Sequence, residues 1–267
     1  MTDTSKPKTA LVTGASSGIG ATYADRLAAR GYDLILVARD TTRLTALAEK
    51  LSATHGIMAD VLSADLSQKS DVVKVEQRLR SDETISLFVN NAGIGPNGPL
   101  LTSDLDYLDT MVDLNVTAAN RLAVAAAQVF VARGAGAIIN TASVVALAPH
   151  FFNGTYSATK SFVLTLTESL AAELENTGVS IQAVLPGLTR TEIFDRVGRS
   201  FDDLDPNMVM EVGDLVDAAL AGFDQGELIT IPSLADKALY DSYIAARGEL
   251  RPHLSLNRPA GRYGIAA

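Results

Sequence analysis

The chain has 267 residues, of which 47% are hydrophobic and 20% are charged, a composition typical of a globular protein with a large buried core. Its net charge of -9 at pH 7 disfavours nucleic acid and anionic membrane surfaces as partners. The absence of cysteine excludes disulfide frameworks and thiolate metal sites.

The N-terminal residues predict no targeting segment. The start MTDTSKPK is not followed by the apolar core of a signal peptide, and no uncharged apolar run approaches the roughly 20 residues of a transmembrane helix. We therefore expect a cytoplasmic protein. Its histidines, His55, His150 and His253, are too widely spaced to form a ligand motif, so we also expect no metal site.

Short runs rich in Val, Ile and Leu predict strands that are buried on both faces, as in a parallel sheet. In chain order they are TALVTG, DLILVAR, ISLFVNNAG, GAIINTAS, VSIQAVLPG and GELITIPS. Helical spacing of apolar residues, such as Val72, Val75 and Leu79, predicts helices between them. Residues 103–133 are long enough for two nearly continuous helices, and residues 156–176 predict another. This alternation predicts an α/β fold, with one doubly wound, Rossmann-like parallel sheet of about seven strands and helices on both faces.

The predicted elements show no repeat and no interdomain linker. Residues 1–267 are therefore expected to form a single domain that carries both binding and catalytic residues. Residues 188–212, which include SFDDLDPN, interrupt the rhythm and predict a substrate-loop insertion over the carboxyl edge of the sheet. Residues 247–267 contain arginines but no core pattern, which predicts a C-terminal tail packed on a surface.

Three glycines lie in TGASSGIG, where the first strand meets the first helix: Gly14, Gly18 and Gly20. Glycines in a first βα turn allow a pyrophosphate to approach the amide groups of a helix N-terminus. The spacing differs from the commoner Gly-x-Gly-x-x-Gly, so a tight turn with close helix–strand packing is the alternative interpretation. In this strand–turn–helix context the pattern favours dinucleotide binding.

Four polar residues are candidates for catalysis. Tyr156 and Lys160 are spaced i, i+4 on one helix face, and a nearby ammonium favours the phenolate of a tyrosine. A surface Tyr packed on a Lys stem is the simpler alternative. Ser143 follows the carboxyl end of a strand, where open α/β sheets bind ligands, or it caps a turn. Asn115, in an apolar helix, is either a satisfied core amide or part of a proton path.

Together these features resemble the classical short-chain dehydrogenase/reductase family. TGASSGIG is similar to its cofactor loop, NNAG (residues 90–93) to the end of its fourth strand, YSATK to its active-site Tyr-x-x-x-Lys, and PGLTRT (residues 186–191) to its nicotinamide-contacting loop. Asn115 and Ser143 fall where the family keeps its other catalytic residues. The resemblance covers the chain from Thr13 to about Pro232.

The resemblance implies a hydride-transfer mechanism with four catalytic residues. Ser143 would hydrogen-bond the substrate carbonyl and Tyr156 would donate its proton. Lys160 would lower the pKa of Tyr156 and hold the nicotinamide ribose, and Asn115 would hold a water that connects Lys160 to solvent. The implied cofactor-binding residues are Gly14, Ser16, Ser17, Gly18, Ile19, Gly20, Arg39, Asp65, Leu66, Asn91, Ala92, Gly93, Tyr156, Lys160, Pro186, Gly187 and Thr191.

The end of the second predicted strand indicates NADP(H) as the cofactor. An acidic residue at this place selects NAD by accepting from the adenosine ribose hydroxyls. This chain has Ala38 there and Arg39 next, as in NADP-preferring members of the family. Arg39 would bind the 2′-phosphate. Asp40 could weaken this contact by pairing with Arg39, and Arg43 could strengthen it.

The expected substrate is an apolar ketone, aldehyde or secondary alcohol, and the expected assembly is a homodimer or homotetramer that buries apolar helix faces within residues 115–133 and 156–176. Two other functions remain open: a non-catalytic NADP-binding sensor or scaffold, and sugar epimerase or dehydratase chemistry. The residues expected in the substrate pocket are Ile94, Val145, Leu147, Phe151, Phe152, Ile193, Phe194 and Phe201.

Overall fold

The computed structural model describes residues 8–192 and 204–265. Parallel strands form one seven-stranded sheet in the order β3-β2-β1-β4-β5-β6-β7. The strands are β1 (Thr9–Thr13), β2 (Asp33–Ala38), β3 (Ala59–Ser63), β4 (Ile85–Asn90), β5 (Gly136–Thr141), β6 (Val179–Val184) and β7 (Ile229–Thr230). Because the order reverses between β1 and β4, a crevice opens there at the carboxyl ends of the strands. The Rossmann-like sheet predicted from the sequence is confirmed.

Helices pack on both faces of this sheet. They are α1 (Gly18–Ala29), α2 (Thr41–His55), α3 (Lys69–Ser81), α4 (Leu105–Val112), α5 (Ala119–Arg133), α6 (Gly154–Glu173) and α7 (Val212–Asp224). Strand β1 is buried on both sides, since Val12 packs in one apolar cluster with Tyr23 while Leu11 packs in the opposite cluster with Phe130. Burial on both faces is why the strands appear as continuous apolar runs.

None of the apolar runs that predict the other strands corresponds to strand β3. Its sequence, ADVLS, lies at the edge of the sheet and none of its residues is fully buried. An edge strand needs no apolar side chains on both faces. Hydrophobic pattern alone therefore did not reveal it.

Helices α4 and α5 are joined by a π-helical turn, Asp113–Ala118, into one run, Leu105–Arg133. Among the described residues this 29-residue run is the one helix that is long and apolar enough to cross a membrane by length and composition, although it contains charged residues such as Asp113 and Arg121. Leu122, Ala126 and Phe130 from this run pack in the hydrophobic core, and 44% of its apolar window is buried. Core packing accounts for part of this apolarity.

The two ends of the segment of residues 188–212 lie next to each other. Arg190 N donates to Met210 O and Met210 N donates to Leu188 O, both at 2.9 Å, so the two ends are joined by main-chain hydrogen bonds. Residues 193–203, with the expected pocket residues Ile193, Phe194 and Phe201, lie outside the described residues. The substrate-loop assignment stays a prediction.

Residues Leu234–Ala267 form a second compact unit, and Met1–Ser233 form the first. The second unit contains helix α8 (Lys237–Glu249) and short 3₁₀ turns at Arg251–His253 and Gly261–Tyr263. None of its described residues is fully buried. The single-domain organisation and the surface packing of residues 247–267 stay predictions.

Candidate active site

A cavity of about 410 Å³ lies at the carboxyl ends of the strands, within the size range of small-molecule and cofactor sites. It brings together residues that are far apart in the sequence, from the glycine turn after β1 to the chain after β6. Among the residues predicted for catalysis and cofactor binding, all line this cavity except Gly20 and Asn115. The sequence therefore identified most of its walls.

The glycine turn has two distinct structural requirements. Gly14 and Gly18 adopt φ values of +69° and +53°, which favour glycine. Gly20 is needed for close packing instead, since a Cβ there would lie 2.2 Å from the Gly14 carbonyl oxygen. Ser17 precedes α1 without capping it by a side-chain hydrogen bond, and the first turn of α1 contains no acidic residue. This helix N-terminus therefore suits the pyrophosphate of a dinucleotide.

The NNAG segment is held at the end of β4 by hydrogen bonds to β1. Thr13 Oγ1 accepts from the main-chain N–H of Asn91 at 2.9 Å and of Ala92 at 3.0 Å, and Asn91 Nδ2 donates to Thr13 O at 3.0 Å. Behind it, Asn90 Nδ2 donates to Asn140 Oδ1 at 3.0 Å. Asn91 and its neighbours thus form a fixed wall beside the glycine turn.

Tyr156 and Lys160 lie near the start of α6, where Lys160 is buried and Tyr156 is partly buried. Lys160 Nζ lies 5.8 Å from the centroid of the Tyr156 ring and donates to the Thr141 main-chain carbonyl at 3.0 Å. Burial lowers the pKa of Lys160 to about 8 and raises the pKa of Tyr156 to about 12. The resemblance implied a lowered pKa for Tyr156, but in this structure burial raises that pKa, and the opposing effect is the hydrogen bond with Ser143.

Ser143 follows β5 and lies within reach of Tyr156. Its hydroxyl donates to Pro186 O at 3.3 Å, accepts from Val145 N at 3.4 Å, and makes a side-chain hydrogen bond with Tyr156 that opposes the burial-induced rise in the pKa of that tyrosine. Ser143 is therefore both a turn cap and a cavity residue. The two interpretations left open by the sequence are compatible.

Asn115 does not line the cavity but supports one of its walls from the π-helical turn. Its Oδ1 accepts from Ile94 N and its Nδ2 donates to Ile94 O, both at 2.9 Å, and Nδ2 also donates to Thr159 Oγ1 at 3.2 Å. The side chain is thus engaged with the main chain after β4 and with α6. The side chain therefore positions these two segments, and the implied role of Asn115 in holding a water stays a prediction.

The adenosine end of the predicted site contains two arginines with different surroundings. In the part of the chain that the structure describes, no carboxylate pairs with Arg39, which is exposed and lines the cavity. Asp40 caps α2 by accepting from Arg43 N at 3.0 Å and lies 3.5 Å from Arg43 Nε. Arg43 also donates from Nη1 to Glu192 Oε1 at 2.9 Å and Oε2 at 2.8 Å. Of the two, Arg39 is the one available to an anion.

The sequence did not indicate several supporting residues, because their roles depend on distant partners. They are Thr13, Thr159, Asn140 and Glu192. Of the residues expected in the substrate pocket, Ile94 lines the cavity and the Phe152 ring lies 5.7 Å from that of Tyr156. Among the described residues no group of three or more His, Asp or Glu side chains is placed to hold a metal ion; the metal-free site stays a prediction.

Comparison with known proteins identifies the family. The family model for short chain dehydrogenase matches residues 8–200, and the chain belongs to this family. A short-chain dehydrogenase from Sphingobium yanoikuyae in complex with NADPH is 48% identical, with 96% of this chain and 100% of that chain covered and a TM-score of 0.92. A bulky-bulky ketone specific alcohol dehydrogenase from Comamonas testosteroni is 44% identical, covering 97% of this chain and 99% of that one with a TM-score of 0.89.

A curated relative is more distant. The diacetyl reductase [(S)-acetoin forming] of Staphylococcus epidermidis is 32% identical over 214 residues, which are 79% of this chain and 82% of that protein. The chain is accordingly an oxidoreductase of the short-chain dehydrogenase type that acts on alcohols or carbonyl compounds.

Proposed function

We propose that this enzyme interconverts apolar ketones or aldehydes and the corresponding alcohols with NADP(H), and that Tyr156 is its proton donor. The observation that carries the proposal is the enclosure of Tyr156, Lys160 and Ser143 in the same cavity as the glycine turn. A binding protein without turnover has no need of a buried acid–base pair beside its cofactor. This is why the sensor or scaffold alternative is less favoured.

The proposed reduction uses protein groups to orient and protonate the carbonyl. Ser143 Oγ donates a hydrogen bond to the carbonyl oxygen, and Tyr156 transfers its phenolic proton to that oxygen. A nicotinamide, when bound, supplies the hydride. The pKa of Tyr156, about 12, keeps the phenol protonated at neutral pH, which is the form that a proton donor requires. The Lys160 ammonium then stabilises the phenolate by its charge.

Lys160 and Asn115 provide the proposed route for reprotonation. The Asn115 side chain is already bonded to Ile94 and Thr159, so the proposed water binds to a main-chain carbonyl of the π-helical turn instead. A π-type turn shifts the helical hydrogen bonds from i+4 to i+5 and occurs often at functional sites. The turn at Asp113–Ala118 thus supports a proton path to Lys160 without using the amide side chain.

The proposed cofactor preference rests on two features: the Arg39 side chain, and an alanine instead of an acidic residue at position 38. Among the described residues no carboxylate pairs with the Arg39 guanidinium, which suits a 2′-phosphate, and Ala38 offers no carboxylate to bind free ribose hydroxyls. The NADPH complex of the 48% identical Sphingobium enzyme supports the same choice. Gly14, Gly18 and the N-terminus of α1 would hold the pyrophosphate.

The proposed substrates are ketones with bulky apolar substituents. Phe152 and Ile94 place apolar surface beside Tyr156, and a relative 44% identical is specific for bulky-bulky ketones. Leu147 and Val145, which follow Ser143, are partly buried and do not line the cavity, so their expected place in the substrate pocket stays a prediction.

The proposed assembly is a homodimer or homotetramer in the cytoplasm. Phe162 on α6, Val131 on α5 and Val112 on α4 are 37%, 42% and 39% exposed, although large apolar side chains are usually covered. Pairing of these helices across a two-fold axis would bury them. Light scattering at micromolar concentration tests the assembly, and a monomer would contradict it.

The experiment that tests the function is a panel of carbonyl compounds and alcohols assayed with NADPH, NADP⁺, NADH and NAD⁺ by nicotinamide absorbance. We expect turnover of aryl and branched ketones with NADPH and little turnover of anionic substrates. Tight NADPH binding without turnover across the panel would instead support a sensor. Turnover restricted to nucleotide sugars would support epimerase or dehydratase chemistry.

A further inference from the structure

Residues 94–99, with the sequence IGPNGP, form a loop that leads from the NNAG segment to a 3₁₀ turn at Leu100–Thr102. Ile94 lines the cavity, and Gly95 and Pro96 are buried. Within the described ranges, no main-chain group of residues 94–98 forms a hydrogen bond with another main-chain group. The position of this loop therefore depends on side chains from other parts of the fold.

Two of these side chains come from the helices that follow the loop in the chain. Asn115 Nδ2, in the π-helical turn, donates to Ile94 O at 2.9 Å. Tyr107 Oη, in α4, donates to Gly95 O at 2.7 Å. Successive carbonyls of the loop are thus held by two different helical segments.

The third side chain, Asn153, uses both ends of its amide group. Its Nδ2 donates to Gly98 O at 3.0 Å, and its Oδ1 caps α6 by accepting from Tyr156 N at 3.2 Å. Asn153 also directly follows Phe152, whose ring lies 5.7 Å from that of Tyr156. One amide group therefore connects the loop to the start of the helix that carries Tyr156.

The end of the loop and the start of α6 are in close contact. A Cβ on Gly154 would lie 3.1 Å from Cδ2 of Leu100, the residue directly after the loop. Ile94, at the other end of the loop, lines the same cavity as Tyr156. Because packed elements move as units, a shift of the loop relative to α6 would change the space beside Tyr156.

We propose that Asn153 and Tyr107 are positioning residues that fix the 94–99 loop against α6 and thereby determine how well the enzyme accepts ketones with two bulky substituents. This inference rests on the proposed function, because it assumes that the ketone binds beside Tyr156. Neither Asn153 nor Tyr107 lines the cavity. Each acts through a carbonyl of the loop and not by touching the substrate.

A fixed loop favours bulky ketones because it offers an apolar wall that the substrate does not have to order. A loop that has lost one of its donors moves, and a bulky substituent then binds only at the cost of ordering it. A small ketone touches less of this wall and loses less. The discrimination between bulky and small ketones therefore depends on the hydrogen bonds that hold the loop.

The test compares kcat/KM for phenyl butyl ketone with kcat/KM for butanone at saturating NADPH. Asn153→Ser still caps α6, but its side chain is one bond shorter and does not reach Gly98 O while it does so. Tyr107→Phe removes the donor to Gly95 O. We expect each change to lower the ratio of the two kcat/KM values by about two- to tenfold, the contribution of one hydrogen bond. Asn153→Asp, whose carboxylate caps α6 but cannot donate, should lower it equally.

Thr110→Val is the matched control on α4. Thr110 Oγ1 donates to Asp106 O within the same helix, so this variant should keep the wild-type ratio, and a fall as large as that of Tyr107→Phe would overturn the proposal. An unchanged ratio in both Asn153→Ser and Tyr107→Phe would also overturn it. So would an equal loss of kcat/KM for the two ketones, since Asn153 would then act as a helix cap alone. A wild type that does not reduce phenyl butyl ketone would instead refute the proposed substrate class, and this inference with it.

Discussion

The Lys160 ammonium lies 5.8 Å from the centre of the Tyr156 ring, and burial changes the pKa of both residues. The pKa of Tyr156 rises to about 12 and that of Lys160 falls to about 8. Each shift favours the neutral form, because both groups have lost their hydration. Tyr156 is thus kept protonated and suited to proton donation. Burial of the Lys160 ammonium lowers the free energy of unfolding, and this effect can be measured.

Tyr156→Phe tests the proton donor. The phenylalanine keeps the ring that packs 5.7 Å from Phe152 but removes the proton, so we expect turnover to fall at least about a hundredfold with NADPH affinity nearly unchanged. Steady-state kinetics and cofactor fluorescence titration measure the two quantities. Tyr32→Phe, at a residue between α1 and β2 that does not line the cavity, is the control and should behave as the wild type. Equal turnover in Tyr156→Phe and wild type would refute the mechanism.

Lys160→Met tests the cost of the buried ammonium through pH. Because the pKa of Lys160 is about 8 in the folded protein and about 10.4 in an unfolded chain, the unfolded state binds more protons between these values. The free energy of unfolding of the wild type should therefore rise with pH from about 8 to 10, relative to that of Lys160→Met. Urea unfolding of the cofactor-free proteins at several pH values measures this difference.

The control for this pH dependence is Lys50→Met on the exposed side of α2, which should reproduce the wild-type profile. Parallel profiles of wild type and Lys160→Met would mean that Lys160 keeps its ordinary proton affinity in the folded protein. The loss of turnover in Lys160→Met is a separate expectation, since the methionine cannot stabilise a phenolate.

Asn115→Ala tests the support of the cavity wall. The amide is 2% exposed and satisfies both main-chain polar groups of Ile94, so its removal should lower the free energy of unfolding by about 1–3 kcal/mol. Turnover should fall as well, because the segment beside Gly93 and Lys160 loses its fixed position. Urea unfolding is the measurement, with exposed Asn207→Ala as control. A fully stable, fully active Asn115→Ala would show that neither role holds.

The sequence predicted those parts of the fold and site whose physical cause is local. The glycine turn depends on the geometry of one turn, and the Tyr156–Lys160 pair on the geometry of one helix. Residues of both line the cavity. The apolar runs predicted every strand except β3, whose edge position leaves it only partly buried.

Contacts between distant segments could not be predicted in this way. Thr13 and Asn91 are 78 residues apart, and Arg43 and Glu192 are 149 apart; each side chain alone is ordinary for a strand end or a helix start. The pKa of Tyr156 is a similar case, because the sequence shows the neighbouring Lys160 but not the burial that raises this pKa.

Arg39→Ala tests cofactor choice. Charge-assisted hydrogen bonds contribute about 1.5–3 kcal/mol each, so losing one from the 2′-phosphate should raise the KM for NADPH by about ten- to a hundredfold. The KM for NADH should barely change, because NADH lacks that phosphate. Ala38→Asp should shift preference towards NADH, since a carboxylate repels the phosphate and accepts from free ribose hydroxyls. Arg30→Ala, whose guanidinium pairs with Asp224 at 3.0 Å and does not line the cavity, is the control for loss of an arginine. A wild-type enzyme with higher kcat/KM for NADH than for NADPH would show that Arg39 does not determine the preference.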